Sequence, residues 1–143
     1  MIRIEIPGPP VPQGRPRATA ALGHVKLYDP PKSRAYKQTV AIYARQAMGQ
    51  KLPTQMPVSC KLWIYRRIPK SDSKKRRSLK ASGQILPAIK PDVDNVFKAV
   101  TDACTGIVWH DDNQIVEAHI VKKYSDRPRA ILEVEELGEE QEI

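Results

Sequence analysis

The chain begins with a strict alternation of apolar and polar residues. Positions 2–6 read IRIEI, the period-two pattern of a half-buried β-strand. The strand should end at positions 7–10, PGPP, because proline cannot donate a hydrogen bond to a sheet and Gly-Pro clusters mark turns. Positions 10–32 are too rich in proline and glycine to predict regular structure.

A helical periodicity follows from Ser33 to Met48. Two prolines precede this segment, Ser33 is the expected N-cap and Gly49 marks the expected end. Apolar residues recur along it at three- and four-residue spacing, and charged or amide side chains occupy the other positions. The apolar face comprises Tyr36, Val40, Tyr43, Ala44 and Ala47. The pattern predicts an amphipathic helix that packs on a sheet.

Three further strands and a second helix are predicted downstream. Alternation predicts a strand from Val58 to Tyr65, and apolar, β-branched stretches predict strands at Ile115–Val121 and Ala130–Val134. The second helix is expected from Asn95 to Cys104, with Asp94 as its N-cap. Its buried face comprises Val96, Phe97, Val100, Ala103 and Cys104.

These elements predict one small domain of the α/β (α+β) class, with a mixed four-stranded sheet packed by two main helices. The length of 143 residues is sufficient for a hydrophobic core of its own. Positions 1–135 form the expected domain, and positions 136–143 form an acidic C-terminal tail.

The charge is distributed unevenly along the chain. The sequence carries 24 Lys and Arg against 16 Asp and Glu, a formal net charge of +8. Six glutamates lie between Glu133 and Ile143, so ten acidic residues face 24 basic ones in the rest of the chain. Such a charge attracts phosphate backbones, although it can also serve solubility alone.

Membrane and secreted classes are disfavoured. No stretch approaches the roughly 20 consecutive apolar residues of a membrane span, and the charged N-terminus lacks the apolar segment of a signal peptide. We therefore expect a cytoplasmic protein with no membrane partner. Cys60 and Cys104 show no metal-ligand spacing and are expected to be small buried residues rather than a disulfide.

Two basic segments are candidate DNA contacts. Arg15 and Arg17 flank a proline in the predicted loop and can fork onto phosphates. Ten basic residues and one acid lie between Lys61 and Lys90. The densest run comprises Lys74, Lys75, Arg76 and Arg77. This segment is either a mobile solvated loop or a flap that binds DNA backbone, and its position beside an acidic segment favours the flap.

The acidic segment, Lys90–Gln114, holds five of the eight aspartates. They are Asp92, Asp94, Asp102, Asp111 and Asp112. Pro91 keeps its surroundings extended, so the carboxylates of Asp92 and Asp94 can point the same way, and the Asp111-Asp112 turn can supply a third. Carboxylates from separate elements suit a hard cation such as Mg²⁺, with Mn²⁺ as a substitute. Such a cation assists displacement at phosphorus.

Lys98 is the candidate catalytic cation of this segment. It lies one helical turn after Asp94 and shares a helix face with Asp102, so it can contact a phosphate or the charge that develops on a leaving oxygen. A structural interpretation is also open: Asp94 caps the helix, Lys98 pairs with both aspartates, and the Asp111-Asp112 pair forms a turn. The coincidence of candidate ligands, lysine and basic segment favours catalysis.

The sequence KPDVDNVFKAVTDACTG followed by VWHDDNQI resembles the RusA family of Holliday junction resolvases. The family pattern is D-x-D-N-x-x-K, then a helix, a glycine and D-D-x-Q. The stretch QGRPR at positions 13–17 also resembles the family. The similarity extends from the first strand to about Val134, and the glutamate-rich tail lies outside it.

The resemblance implies a homodimeric endonuclease, of a kind common in prophages and bacteria. It would make paired symmetric cuts across four-way DNA junctions in recombination and repair, with Mg²⁺. By motif position it implies metal ligands at Asp92, Asp94 and Asp112 and a catalytic lysine at Lys98. Asp111 stays open, since an adjacent carboxylate can substitute as a ligand or only shape the turn. DNA contacts are expected from Arg15, Arg17, Lys74, Lys75, Arg76, Arg77 and Lys90.

Two other functions fit the same sequence. A structure-selective DNA-binding module without catalysis would use the basic segments alone and would bind junctions without cutting them. A nuclease that acts on flaps or other branched DNA would share every motif, because branch selectivity depends on the geometry of a dimer rather than on these residues.

Overall fold

The computed structural model of the protein describes residues 1–21 and 23–138. In chain order the strands and α-helices of this part are β1 (Ile2–Pro7), β2 (Arg17–Ala21), β3 (His24–Tyr28), α1 (Pro31–Met48), β4 (Val58–Arg67), α2 (Lys74–Ala81), α3 (Val93–Cys104), β5 (Ile115–Ser125) and β6 (Arg129–Glu136). A short 3₁₀ turn, Asp112–Gln114, precedes β5.

The main sheet has four strands in the order β1-β6-β4-β5. β6 runs antiparallel to both β1 and β4, whereas β4 and β5 run parallel. The parallel pair requires a long crossover, and the chain between β4 and β5 supplies it with α2 and α3. The predicted mixed four-stranded sheet in a small α+β domain is confirmed.

The helices α1 and α3 cover one face of this sheet. The predicted apolar face of α1 is confirmed, with Tyr36, Val40 and Ala44 buried. The buried residues of α3 are Val96, Ala99, Val100, Thr101 and Cys104. Cys60 and Cys104 are buried free thiols, as expected, and burial raises the pKa of both to about 12.

Both predicted helix caps were wrong by two or more residues. α1 begins at Pro31, and the Ser33 hydroxyl instead accepts a hydrogen bond from the backbone N–H of Gly14 at 2.7 Å. Asp92, not Asp94, is the N-cap of α3, and its carboxylate accepts from the N–H of Asp94 at 2.8 Å. Pro30, the N-cap of α1, makes no capping side-chain hydrogen bond, and at α3 two aspartates two residues apart were both suitable caps.

A β-hairpin occupies part of the segment that was expected to be irregular. β2 and β3 pair antiparallel from Arg17 opposite Tyr28 to Ala21 opposite His24. Arg17 therefore lies at the base of a strand rather than on a loop, while Arg15 precedes it. The hairpin gives no core-facing periodicity because every residue of β3 is exposed, which is why the sequence pattern did not reveal it.

The basic segment after β4 forms a helix where a loop was predicted. α2 begins after Ser73, whose hydroxyl accepts from the N–H of Arg76 at 3.2 Å. Near the end of α2, Lys80 is only 6% exposed and forms an ion pair with Asp72. Its ammonium also lies 4.8 Å from the ring centroid of Tyr124 on β5. The ion pair ties the turn before α2 to the last turn of that helix, and losing one partner of a buried pair is strongly destabilising. The contact between Lys80 and Tyr124 holds α2 against the end of β5.

The last strand ends at the first residue of the predicted acidic tail. β6 continues to Glu136, and the N–H of Leu137 donates to the carbonyl of Pro57 at 2.7 Å. The rest of the predicted acidic tail, positions 139–143, lies outside the described residues. Within residues 1–21 and 23–138, no helix is both long and apolar enough to cross a membrane.

Candidate active-site cleft

The segment before α3 is fixed to the C-terminal ends of β4 and β5. The Arg66 guanidinium donates to the carbonyl of Lys90 at 2.7 Å, and the Lys122 ammonium donates to the carbonyl of Pro91 at 2.9 Å. Asp92 follows directly and caps the helix. The carboxylate at the start of the D-x-D motif is therefore positioned by two basic side chains from the sheet.

Asp92 borders a cleft of about 620 Å³. The residues that line it are Pro9, Pro10, Pro12, Gln13, Ile64, Arg66, Arg67, Lys90, Pro91, Asp92 and Asn95. Three cationic side chains from two different segments thus line the same cleft as this carboxylate. Cations beside a cleft raise the local concentration of anionic ligands, and the carboxylate offers a place for a hard cation between protein and phosphate.

The QGRPR segment lies against the same end of α3. The N–H of Gln13 donates to the carbonyl of Asn95 at 2.8 Å, and Gly14 contacts Ser33 on α1. A Cβ atom at Gly14 would lie 2.8 Å from a side-chain carbon of Pro30, so no other residue fits without a shift. These contacts hold the chain that leads to Arg15 and Arg17 beside Asp92.

Asp94 and Lys98 lie on the exposed surface of α3, one turn apart. The alternative in which Lys98 pairs with Asp94 and Asp102 is not found. Asp102 instead accepts from Lys37 on α1 at 3.4 Å, and Lys98 forms no ion pair with any residue that the structure describes. Lys98 is therefore an exposed lysine beside the D-x-D motif with no structural partner there.

The Asp111-Asp112 pair lies at the other end of the sheet. Asp111 accepts from the N–H of Asn113 at 2.8 Å and so shapes the turn. The Gln114 amide donates to the carbonyls of Thr54 at 2.8 Å and Met56 at 3.0 Å, which anchors the turn before β4 begins. Asp112 is exposed, and within the described ranges its carboxylate accepts no hydrogen bond.

The two acidic pairs are consequently far apart within one chain. α3 separates them and its 12 residues span about 18 Å; the strand from Ile115 to Lys122 spans about 23 Å. The structure brings together Asp92 and Asp94 but not Asp112. In the part of the chain that is described, no group of three His, Cys, Asp or Glu side chains is placed to hold a metal ion.

The basic run of α2 lies at the same end of the sheet as Asp92. Lys74, Lys75 and Arg76 are exposed on the first turn, and Arg77 pairs with Asp126 at 3.6 Å beyond the end of β5. Lys90 borders the cleft. The candidate DNA contacts from α2 and from the segment before α3 therefore flank the D-x-D motif.

Several residues of this site were missed by sequence reasoning. Those that contact or line the segment around Asp92 include Gln13, Asn95, Arg66, Arg67 and Lys122. Gln13 lies in the QGRPR motif and Asn95 in the D-x-D-N motif, so the sequence could have indicated both residues. Arg66 and Lys122 had no such signal, because only the parallel pairing of β4 and β5 brings their ends together.

Comparison with known proteins identifies the family of the chain. The family model described as "Endodeoxyribonuclease RusA" matches residues 7–135. A protein of Bacillus subtilis (strain 168), named "Uncharacterized protein YqaN", is 40% identical over 139 residues, which cover 96% of this chain and 97% of that protein. The family match runs from the last residue of β1 into β6 and includes both acidic pairs. The chain therefore belongs to the RusA family of endodeoxyribonucleases.

Proposed function

We propose that this protein is a divalent-metal-dependent endonuclease that resolves four-way DNA junctions by paired cuts, as a homodimer. The observation that carries the proposal is the position of Asp92, which caps α3 inside a cleft lined by Arg66, Arg67 and Lys90. Cations beside an exposed carboxylate suit a phosphodiester and the metal that acts on it. Membership of the RusA family supports the same reaction.

The donor set of Asp92 and Asp94 fits Mg²⁺ or Mn²⁺. One oxygen of Asp92 accepts from the helix N–H groups, which leaves its second oxygen for a cation, and Asp94 is exposed two residues after the cap. Hard divalent ions prefer carboxylate oxygens and retain several waters. When bound, such an ion would activate a water and stabilise charge at phosphorus.

A third carboxylate has to come from elsewhere, because Asp112 of the same chain lies about 20 Å away by helix and strand geometry. β5 is an edge strand of 11 residues, and Val116 on it is 60% exposed. A long edge with apolar side chains is a site for pairing with another strand. We infer that a second copy of this chain pairs there.

Antiparallel pairing of two β5 strands brings the acidic residues of one copy close to those of the other. Around a two-fold axis near the middle of the strand, the N-terminal end of one β5 lies beside the C-terminal end of the other. Asp112 precedes the first end, and Lys122, which contacts Pro91, lies at the second. Asp112 of one copy thereby approaches Asp92 and Asp94 of the other, and a dimer contains two such sites.

Lys98 and α2 have separate roles in this arrangement. Lys98, exposed one turn after Asp94, neutralises charge on the phosphate or on the leaving oxygen. The basic turn of α2, held at the same end of the sheet by Lys80, contacts the DNA backbone without reading its sequence. Two symmetric sites in one dimer match the paired strands of a four-way junction.

A cleavage assay on synthetic DNA tests the proposal. The wild-type protein should cut a four-way junction in the presence of Mg²⁺, at symmetric positions, and should leave linear duplex of the same sequence intact. Binding without cutting at any divalent ion would favour the non-catalytic module. Faster cutting of a flap than of the junction would favour the alternative nuclease.

A further inference from the structure

The cleft beside Asp92 is more apolar than contact with a phosphate backbone requires. Its polar groups are concentrated in Arg66, Arg67, Lys90 and Asp92, and most of its remaining lining comes from the carbon atoms of other side chains. The apolar part comprises Pro9, Pro10, Pro12, Pro91 and Ile64. A phosphate gains nothing from proline rings, so this part of the cleft suits a different portion of the substrate.

An unstacked base is the part of DNA that fits such a surface. The cleft volume of about 620 Å³ lies within the range of small-molecule sites, which combine apolar walls with a few polar groups. Enzymes that act on DNA hold extruded bases between aromatic or apolar side chains and read their edges with hydrogen bonds. Asn95 and Gln13 supply amides on the wall of this cleft.

Given the proposed nuclease function, on which this inference rests, we propose that the proline-lined cleft binds one nucleobase of the cleaved strand, unstacked next to the scissile phosphate. Asp92 then lies beside the phosphate while the base occupies the proline-lined part. The cations of the cleft contact the flanking backbone. The site makes cleavage depend on the base at one position, in addition to the branch itself.

The Gln13 side chain is the group best placed to recognise the base. Its amide nitrogen donates to Asp29 at 3.1 Å and to the carbonyl of Gly14 at 3.1 Å, which fixes the orientation of the amide. Its oxygen is buried and has no donor among the described residues. A buried acceptor without a partner is costly, and a base with an N–H edge that meets this oxygen after a small shift of the Gln13 side chain would satisfy it.

Asp29 is kept ionised, and this fixes the orientation of the Gln13 amide. Lys37 donates to Asp29 at 3.0 Å, and this hydrogen bond, with smaller help from Gln13, holds the pKa of Asp29 below its usual value. An ionised carboxylate can only accept, so it selects the amide nitrogen of Gln13 and leaves the amide oxygen unpartnered.

Abasic substitutions in the DNA test the inference with unaltered protein. A single abasic site is moved along the cleaved strand on both sides of the scissile phosphate of a four-way junction. We expect one position at which cleavage by the wild-type protein falls at least about fivefold, the lower end of what stacking of one base on an aromatic side chain corresponds to, because this cleft is lined by proline rings. Equal cleavage rates at all positions would overturn the base site while leaving the nuclease function intact.

A fluorescence measurement gives an answer that does not depend on cutting. 2-Aminopurine, which brightens when it unstacks, replaces each base near the branch in turn, and binding is followed without a divalent ion. The inference requires brightening at one position, the same one that the abasic series identifies. Absence of brightening at every position in a bound complex would contradict it, whether or not the junction is cut.

A protein variant links the DNA position to the cleft. In Gln13→Ala, the cleavage rates on the normal and on the abasic junction should differ by a smaller factor than in the wild-type protein, because the variant loses the amide that recognises the base. Gln46→Ala, on the exposed surface of α1, is the matched control and should keep the wild-type ratio. Both cleavage rates are measured with the same variant, so a general loss of folded protein lowers them equally and leaves their ratio unchanged. An unchanged ratio in Gln13→Ala would exclude Gln13 from base recognition.

Discussion

The Lys122 ammonium donates to the backbone carbonyl of Pro91 at 2.9 Å, one residue before the capping carboxylate of Asp92. The same ammonium also contacts the carbonyl of Ile89. One side chain at the end of β5 thus fixes the backbone that presents the D-x-D motif. If β5 also forms the dimer contact, Lys122 connects that contact to the candidate metal site.

Lys122→Met should therefore impair catalysis from outside the motif. The variant keeps the apolar stem of the side chain but loses charge-assisted hydrogen bonds, each worth about 1.5–3 kcal/mol. A misplaced catalytic group can cost about a hundredfold in rate, so we expect junction cleavage to fall by about ten- to a hundredfold. Lys123→Met, next in sequence but exposed, is the control. Similar cleavage rates in the two variants would show that Lys122 does not position Asp92.

Substitution of the carboxylates by amides should separate catalysis from folding. Asp92→Asn, Asp94→Asn and Asp112→Asn should each abolish cleavage, since an amide is a poor ligand for Mg²⁺, and should leave junction binding intact or stronger. Asparagine caps a helix as well as aspartate does, so Asp92→Asn should keep its melting temperature, whereas Asp92→Ala should lose about 1 kcal/mol. Cleavage near the wild-type rate by Asp92→Asn would refute the metal assignment.

Lys98→Ala should affect cleavage far more than stability. Because Lys98 has no ion-pair partner among the described residues, its loss should change the free energy of unfolding by less than about 0.5 kcal/mol. Lys98→Arg should restore little activity, since a planar guanidinium cannot occupy the position of a compact ammonium. Single-turnover cleavage and thermal melting decide the point. A stability loss that accounts for the lost activity would return Lys98 to a structural role.

The first turn of α2 should determine the salt dependence of DNA binding. Exchanging Lys74, Lys75, Arg76 and Arg77 for glutamine keeps the helix propensity high and should lower affinity for every DNA, with little regard to sequence. Each lost phosphate contact should reduce the slope of log affinity against log salt by about 0.9 on duplex arms. Exchange of Arg45 in the last turn of α1 and Lys51 just after this helix should leave the slope unchanged. An unaltered slope in the α2 variant would show that α2 does not bind the DNA backbone, and Arg15 and Arg17 would be the next candidates.

Hydrophobic periodicity was sufficient to predict the main sheet and the two helices that cover it. Ile4, Val40 and Leu62 are buried where the pattern placed them, since a core-facing element must repeat with its own period. The β2–β3 hairpin and α2 were missed for the same reason. Both are largely exposed, and the buried residue of α2 is Lys80, which pairs with Asp72 just before the helix, so neither element leaves an apolar period to detect.

The site was only partly accessible from the sequence. Asp92, Asp94 and Lys98 are neighbours because they lie within two turns at the start of one helix, and spacing alone conveys this. Asp112 is only 20 positions from Asp92, but a rigid helix lies between them and carries the chain about 18 Å away. Closeness in sequence therefore does not place Asp112 near Asp92 within one chain. The length of the predicted helix between them was the available signal for this separation.

Complementation between two inactive variants tests the central claim, that each active site combines carboxylates from two copies of the chain. Asp92→Asn and Asp112→Asn subunits are co-expressed with different tags, and the mixed dimer is isolated by sequential affinity steps. In such a dimer, one site carries both substitutions and the other carries neither.

The mixed dimer should regain Mg²⁺-dependent nicking of one strand of a four-way junction, at the rate of a single wild-type site, while each parent dimer remains inactive. A mixed dimer that binds the junction but cuts neither strand would show that the acidic residues act within one chain, and would contradict the account.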